Sequence, residues 1–138
     1  MHNGYKAAGQ LVIAGPRAVE KAKLCADMVF RRLDKAGVVF APEERVVELL
    51  GTGVCHPGLV SPPHDLPEVV LRLAVRSHDR HKVERFGYEL APLVTSGPPG
   101  VTGFAGGRPK PQEIVAFWPA LVPRQLVEAQ VRVSVEAI

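Results

Sequence analysis

The stretch "GQLVIAGPRAVEKAKLCADMVFRRLDKAG" constrains the fold of this chain more than any other. "YKAAGQLVIAG" alternates and is β-branched toward its C-terminal half, so it reads as a strand over residues 5–14. A helical pattern follows at once: Val19, Ala22, Ala26, Val29, Phe30 and Leu33 recur at helical spacing. Pro16 suits the first helical position, where its missing N–H has no intrahelical partner, and Gly37 supplies a left-handed stop. A strand that runs straight into a helix is half of a β-α-β unit. The rest of the chain decides what sheet it joins.

"VVFAPEERVVELLG" reads as a second extended segment, interrupted at Pro42, which cannot donate to a ladder. "TGVCHPGLVSPPHDLP" reads as a long irregular loop. In "EVVLRLAVRS" Leu71, Leu73 and Val75 face one way, Arg72 and Arg76 the other, as in a half-buried strand. Asp79 or Ser77 can cap the next helix, "RHKVERFGYELAPLV", with Val83, Phe86 and Leu90 on one face and Pro92 ending or kinking it. "EIVAFWPALV" and "EAQVRVSVEAI" both look like strands, the last with Val131, Val133 and Val135 on one face. The order is β-α-β, β-α-β plus a terminal strand, with no internal repeat. It predicts a single α+β domain over residues 1–138, a ferredoxin-like two-layer sandwich. Two helices would cover one face of a mostly antiparallel sheet of four to five strands. An open α/β sandwich of another strand order is the alternative.

Composition narrows the function classes. A chain of 138 residues fills one core, and 46% hydrophobic with 22% charged residues is ordinary for a globular domain. The net charge of +3 is mild, and the cations are mixed with acids in "EKAKL" and "PEER", so no nucleic-acid partner is expected. Neither a signal-peptide pattern nor an apolar run of about 20 residues is present, which predicts a cytoplasmic protein without a membrane partner. Cys25 and Cys55 form no CxxC pair, and Cys25 sits in the helical pattern as a small buried residue.

"TSGPPGVTGFAGGRPKP", residues 95–111, is the strongest candidate binding element. Gly97, Gly100, Gly103, Gly106 and Gly107 free the backbone for close approach, and successive N–H groups can form an anion-binding concavity. Thr95, Ser96 and Thr102 add hydroxyls, while Arg108 and Lys110 add positive charge. The chemistry suits a carboxylate or the phosphates of an acyl carrier, with a coenzyme A thioester as a conceivable substrate. The stretch is neither GxxxxGK[ST] nor GxGxxG opening a helix after a strand. A plain connection or a partner contact is the other reading.

Other candidates are weaker. Cys55, His56, His64 and Asp65 share "CHPGLVSPPHD" but match no common zinc spacing, so no metal is expected. His78 with a carboxylate is a conceivable dyad, although Asp79 as a helix cap is the plainer account. Glu43, Glu44, Glu48 and Glu68 look solvated or edge-placed, no GxSxG elbow exists, and catalytic residues stay unassigned. Phe117 and Trp118 are neighbours, and neighbours on a strand point to opposite faces. One of them is then expected on the sheet's open face, with Val12, Val70, Ala74 and Val115, as a partner interface or under the 55–67 loop.

"GYKAAGQLVIAGPRAVEKAKLCADMVFRRL", "RVVELLG", "LRLAVRSHDRHKVERFGYELAPLVTSGPPGVTG" and "VAFWPALVPRQLV", in that order, resemble one family. The chain is similar to the C-terminal part of the acyclic terpene utilisation protein A family, from about residue 5 to 135, without the large N-terminal portion usual there. The resemblance implies catabolism of branched terpenoids and related acyl compounds. It implies a small accessory subunit or assembly module, not catalytic alone, that completes a larger enzyme. The partner would be a subunit carrying the missing N-terminal portion, or further copies of the chain. A paralogue that has lost the activity, an independent small enzyme and a ligand-binding module for an anionic acyl compound are the alternatives. The resemblance supplies no catalytic residues.

Overall fold

The computed structural model describes residues 2–59, 65–103 and 106–136. It is α+β, with an open, antiparallel five-stranded sheet. The first strand, β1 (His2–Ala14), leads into helix α1 (Ala18–Lys35). A 3₁₀ turn at Pro42–Glu44 precedes β2 (Arg45–Leu50), and β3 (Glu68–Ser77) follows a loop. Two short helices, α2 (Arg80–Phe86) and α3 (Ala91–Ser96), then lead to β4 (Val101–Thr102), β5 (Gln112–Val115) and α4 (Arg124–Glu128). The strands lie in the order β2-β3-β1-β4, with β5 also paired to β1. That order is what two split β-α-β units give.

Alternation along the central strands decides the layers. Leu11 and Ile13 of β1 and Leu71 and Leu73 of β3 are fully buried against Ala22, Cys25, Val29 and Leu33 of α1 and Val83 and Phe86 of α2. Each large side chain buried there contributes roughly 1.5–3 kcal/mol relative to exposure. The other face carries Lys6, Ala8, Gln10 and Val12, in register with Arg76, Ala74, Arg72 and Val70. Arg72 is also in register with Glu48 and pairs with it at 2.6 Å.

Several local expectations are corrected. Helix α1 starts at Ala18, not Pro16, because Arg17 turns the chain in a left-handed conformation (φ 59°) between strand and helix. The segment 38–51 is interrupted at Pro42 as expected, but only Arg45–Leu50 is strand: Pro42 opens the 3₁₀ turn, and Glu44 accepts from the Ala41 N–H at 3.0 Å. The second helix breaks at Gly87 rather than Pro92. A Cβ on Gly87 would lie 2.2 Å from the Pro109 carbonyl oxygen, and Pro92 sits in the first turn of α3. Asp79 caps α2 as expected, accepting from the His81 N–H at 2.8 Å and the Lys82 N–H at 3.4 Å.

The largest correction is C-terminal. Strand pairing stops at Val115, so Phe117 and Trp118 lie on neither sheet face and are 90% and 77% exposed. The expected terminal strand over residues 128–138 does not form among the described residues: a short helix, Arg124–Glu128, runs up to its start, residues 132–136 pair with no strand, and residues 137–138 lie outside the described residues. The fifth strand is Gln112–Val115 instead.

Candidate functional site

The glycine-rich segment divides into two halves of different character. In the first half, β4 pairs with Val12 and Ile13, and Gly100 accepts from the Ala14 N–H at 2.8 Å. Gly100 has φ +93°, and a Cβ there would stand 2.7 Å from the Ala14 oxygen, so glycine is what permits this approach. The Thr102 hydroxyl donates to the Val12 oxygen (3.4 Å), and the Val12 N–H donates to the Gly103 oxygen (3.3 Å). Thr95 and Ser96 end α3, where the Thr95 hydroxyl donates to the Pro92 oxygen at 3.2 Å, and the Gly97 N–H donates to Leu93. Lys21 fastens this half to the start of α1: its ammonium donates to the carbonyls of Ala14 (2.5 Å), Gly15 (3.3 Å) and Pro99 (2.9 Å). These polar groups are spent on the fold.

The second half carries the open groups. Gly106, Gly107, Arg108, Pro109 and Lys110, with Ala8 and Gln112, line a groove of about 400 Å³. Pro109 is buried: a Cβ on Gly9 would meet its ring carbon at 2.7 Å, so Gly9 and Gly87 together leave room for it. That anchor fixes where its neighbours project. The Arg108 guanidinium lies over the Tyr88 ring, 4.6 Å from its centre, a geometry that holds the side chain in place. Lys110 is exposed and has no ion-pair partner among the described residues. Lys6 is in register with both Gln112 and Arg76, so two further cations stand on the adjoining sheet face. Of the ten residues expected to hold an anion, four line this groove: Gly106, Gly107, Arg108 and Lys110. Thr95, Ser96, Gly97, Gly100, Thr102 and Gly103 belong to the β4 half.

A second cleft, about 450 Å³, lies at the end of β3 and is lined by Asn3, Ala41, Glu43, Glu44, Arg76, Ser77 and His78. It brings His78 near two carboxylates, Glu43 and Glu44, although the sequence did not say which carboxylate would stand beside His78. Glu44 is engaged, with the Ala41 N–H and with Lys82 at 3.5 Å, and no hydrogen bond joins His78 to either carboxylate. Ser77 accepts from the Asp79 N–H at 3.2 Å. Cys55 and His56 are exposed, and His64 lies outside the described residues. No three His, Cys, Asp or Glu side chains gather as a metal site among the described residues.

Sequence reasoning missed Glu89, which is buried (1% exposed) beside the helix break. Its Oε2 accepts from Arg32 Nε at 2.5 Å, and its Oε1 lies against Arg85, so the carboxylate ties α1 to α2. A single acid after "FGY" in a helical pattern carries no signal of burial. Cys25 is buried as expected; burial pushes its thiol up, and the nearby Lys21 charge offsets this only in part. No described helix is long and apolar enough to cross a membrane.

Comparison with known proteins gives one family. A family model described as "Acyclic terpene utilisation family protein AtuA" matches residues 1–133 of the chain. No curated protein and no solved structure matches it.

Proposed function

The chain belongs to the acyclic terpene utilisation family, and from that premise we propose that it is a small accessory subunit or assembly module in the catabolism of terpenoid and acyl compounds. The observation that carries this reading is the segment after β5. Phe117 and Trp118 are 90% and 77% exposed, and Leu121, Val122, Leu126 and Val127 beside them are exposed as well. Apolar side chains gathered over so short a stretch mark an interaction site. The partner is a larger subunit or further copies of the chain, met in the cytoplasm, and the module is not catalytic alone. The Arg108–Lys110 groove holds an anionic group, a carboxylate or the phosphates of a coenzyme A thioester, at or near that contact.

Trp118 is the only tryptophan, so its emission reports the contact directly. Purification of the native assembly identifies the partner, and adding that partner to the isolated chain shifts Trp118 emission to the blue. Trp118→Ala weakens assembly while leaving the unfolding midpoint where it was. Trp118 emission that stays solvent-like in the purified assembly would overturn the reading.

The groove supports a second reading, a ligand-binding module or small enzyme that acts alone on an anionic acyl compound. Limited proteolysis of the glycine-rich segment separates the two. Phosphate, acetate or coenzyme A slows cleavage if the groove holds an anion, and Arg108→Gln with Lys110→Gln removes that protection, most visibly at low salt. Protection without any assembly favours the independent module.

A further inference from the structure

Among the described residues strand β2 is the last strand on its side of the sheet, paired to β3 alone. Val46 and Val47 of this strand are 45% and 46% exposed. An edge with free backbone groups and apolar side chains is a template for another strand. The same chain carries a segment that fits it. "VRVSVE", residues 131–136, alternates valine with polar residues, and Val131, Val133 and Val135 are 60%, 86% and 92% exposed. Residues 132–136 pair with no strand among the described residues.

We propose that residues 132–135 of one copy add as an antiparallel strand to β2 of a second copy, and that the exchange is reciprocal, closing a symmetric dimer. The proposal rests on the reading of the chain as an assembly module but uses other residues than Phe117 and Trp118, so each can fail without the other.

Charge and side-chain matching set the register. Placing Arg132 opposite Glu48 puts Val133 opposite Val47, Ser134 opposite Val46 and Val135 opposite Arg45. Val133 and Val135 then extend the face where Leu49 packs against the core and Arg45 stacks on Phe30 at 5.0 Å. Arg132 falls on the opposite face, the one that carries Glu48. Glu48 Oε2 is buried 2.6 Å from Arg72, while the Glu48 side chain as a whole stays 27% exposed on that face. Thr52 closes the end of β2 by donating to the Leu49 oxygen at 2.7 Å, which limits the pairing to Arg45–Glu48. A second copy is the fitting occupant because both halves of the match lie on one chain. In its own copy the segment leaves from β5, which pairs on the side of β1 away from β3 and β2.

The test uses the full chain with Cys55→Ser, so that the buried Cys25 is the only native thiol left. With Val47→Cys and Val133→Cys added, mild oxidation gives a disulfide-linked dimer. Sedimentation of the unmodified chain gives a dimer mass at tens of micromolar. Glu48→Arg or Arg132→Glu alone raises the dissociation constant at least about tenfold through like-charge contact, and the two together restore it. Trp118→Ala leaves this dimer intact. Circular dichroism confirms that each variant is folded. A monomer at every concentration, a disulfide formed only within one chain, or a dimer indifferent to both charge reversals overturns the proposal.

Discussion

Strand β3 and the segment 131–136 carry the same sequence signature and have opposite fates. Both alternate large apolar residues with polar ones. In β3, Val69, Leu71, Leu73 and Val75 are buried between strands and under two helices, whereas Val131, Val133 and Val135 lie in the open. Alternation fixes which face a strand would bury, but a strand also needs a neighbour to pair with. β3 has β1 and β2 on its two sides, and residues 132–136 have none among the described residues. The contrast separates a strand held on both sides from a segment that has the same pattern and no paired neighbour among the described residues.

The sharpest way to break this comparison is to truncate one residue in each place. Leu73→Ala removes a fully buried side chain and costs about 2–5 kcal/mol, read from urea unfolding. Val133→Ala in the dilute chain stays within about 0.5 kcal/mol of the unchanged protein. Comparable losses at both positions would mean that the segment packs on its own domain. A smaller effect tests the groove half of the glycine-rich segment: Gly87→Ala drives a Cβ into the Pro109 carbonyl and costs about 1–3 kcal/mol by the same measurement. Unchanged stability there would detach Pro109 from the core.

The thiols give a third contrast. Cys55 is exposed and reacts with a thiol reagent in the native state, while Cys25 reacts only on unfolding. The smallest effect is on pH. Because burial raises the Cys25 thiol in the folded state, its proton stabilises the fold fully below the unfolded thiol's pKa of about 8.5. That contribution fades as pH rises through the folded value. Cys25→Ala therefore flattens the alkaline fall in stability relative to the unchanged chain. An identical pH profile would show that Cys25 titrates as it does when unfolded.

What the sequence made legible follows the range of the forces involved. Strand β3 matches the expected residues because alternation and its boundaries are local, and the Asp79 cap depends on atoms two and three residues away. The break at Gly87 was not legible, since the group that demands glycine there is Pro109, from another part of the chain. The same holds for Lys21, which reaches the Pro99 carbonyl, and for Glu89, which meets Arg32. The candidate site was legible as a segment, but its division into two halves was not, for a related reason. Glycines and cations mark the 95–111 segment, but only the fold shows that β4 consumes its first half and leaves the groove to residues 106–112.

Pro109 has a practical consequence for anyone who would rebuild this chain. It acts as a rivet between Gly9 of β1 and Gly87 beyond α2, so the segment before it is a span with both ends fastened. A Cβ on Gly106 or Gly107 would meet nothing within 4 Å, which leaves room for added residues beside them. Doubling the length of such a span costs only about 0.6 kcal/mol in closure entropy. An epitope tag or a second domain grafted between Gly106 and Gly107 would therefore ride on the molecule without unseating the strands on either side. The same graft placed after Pro109 would pull the rivet out.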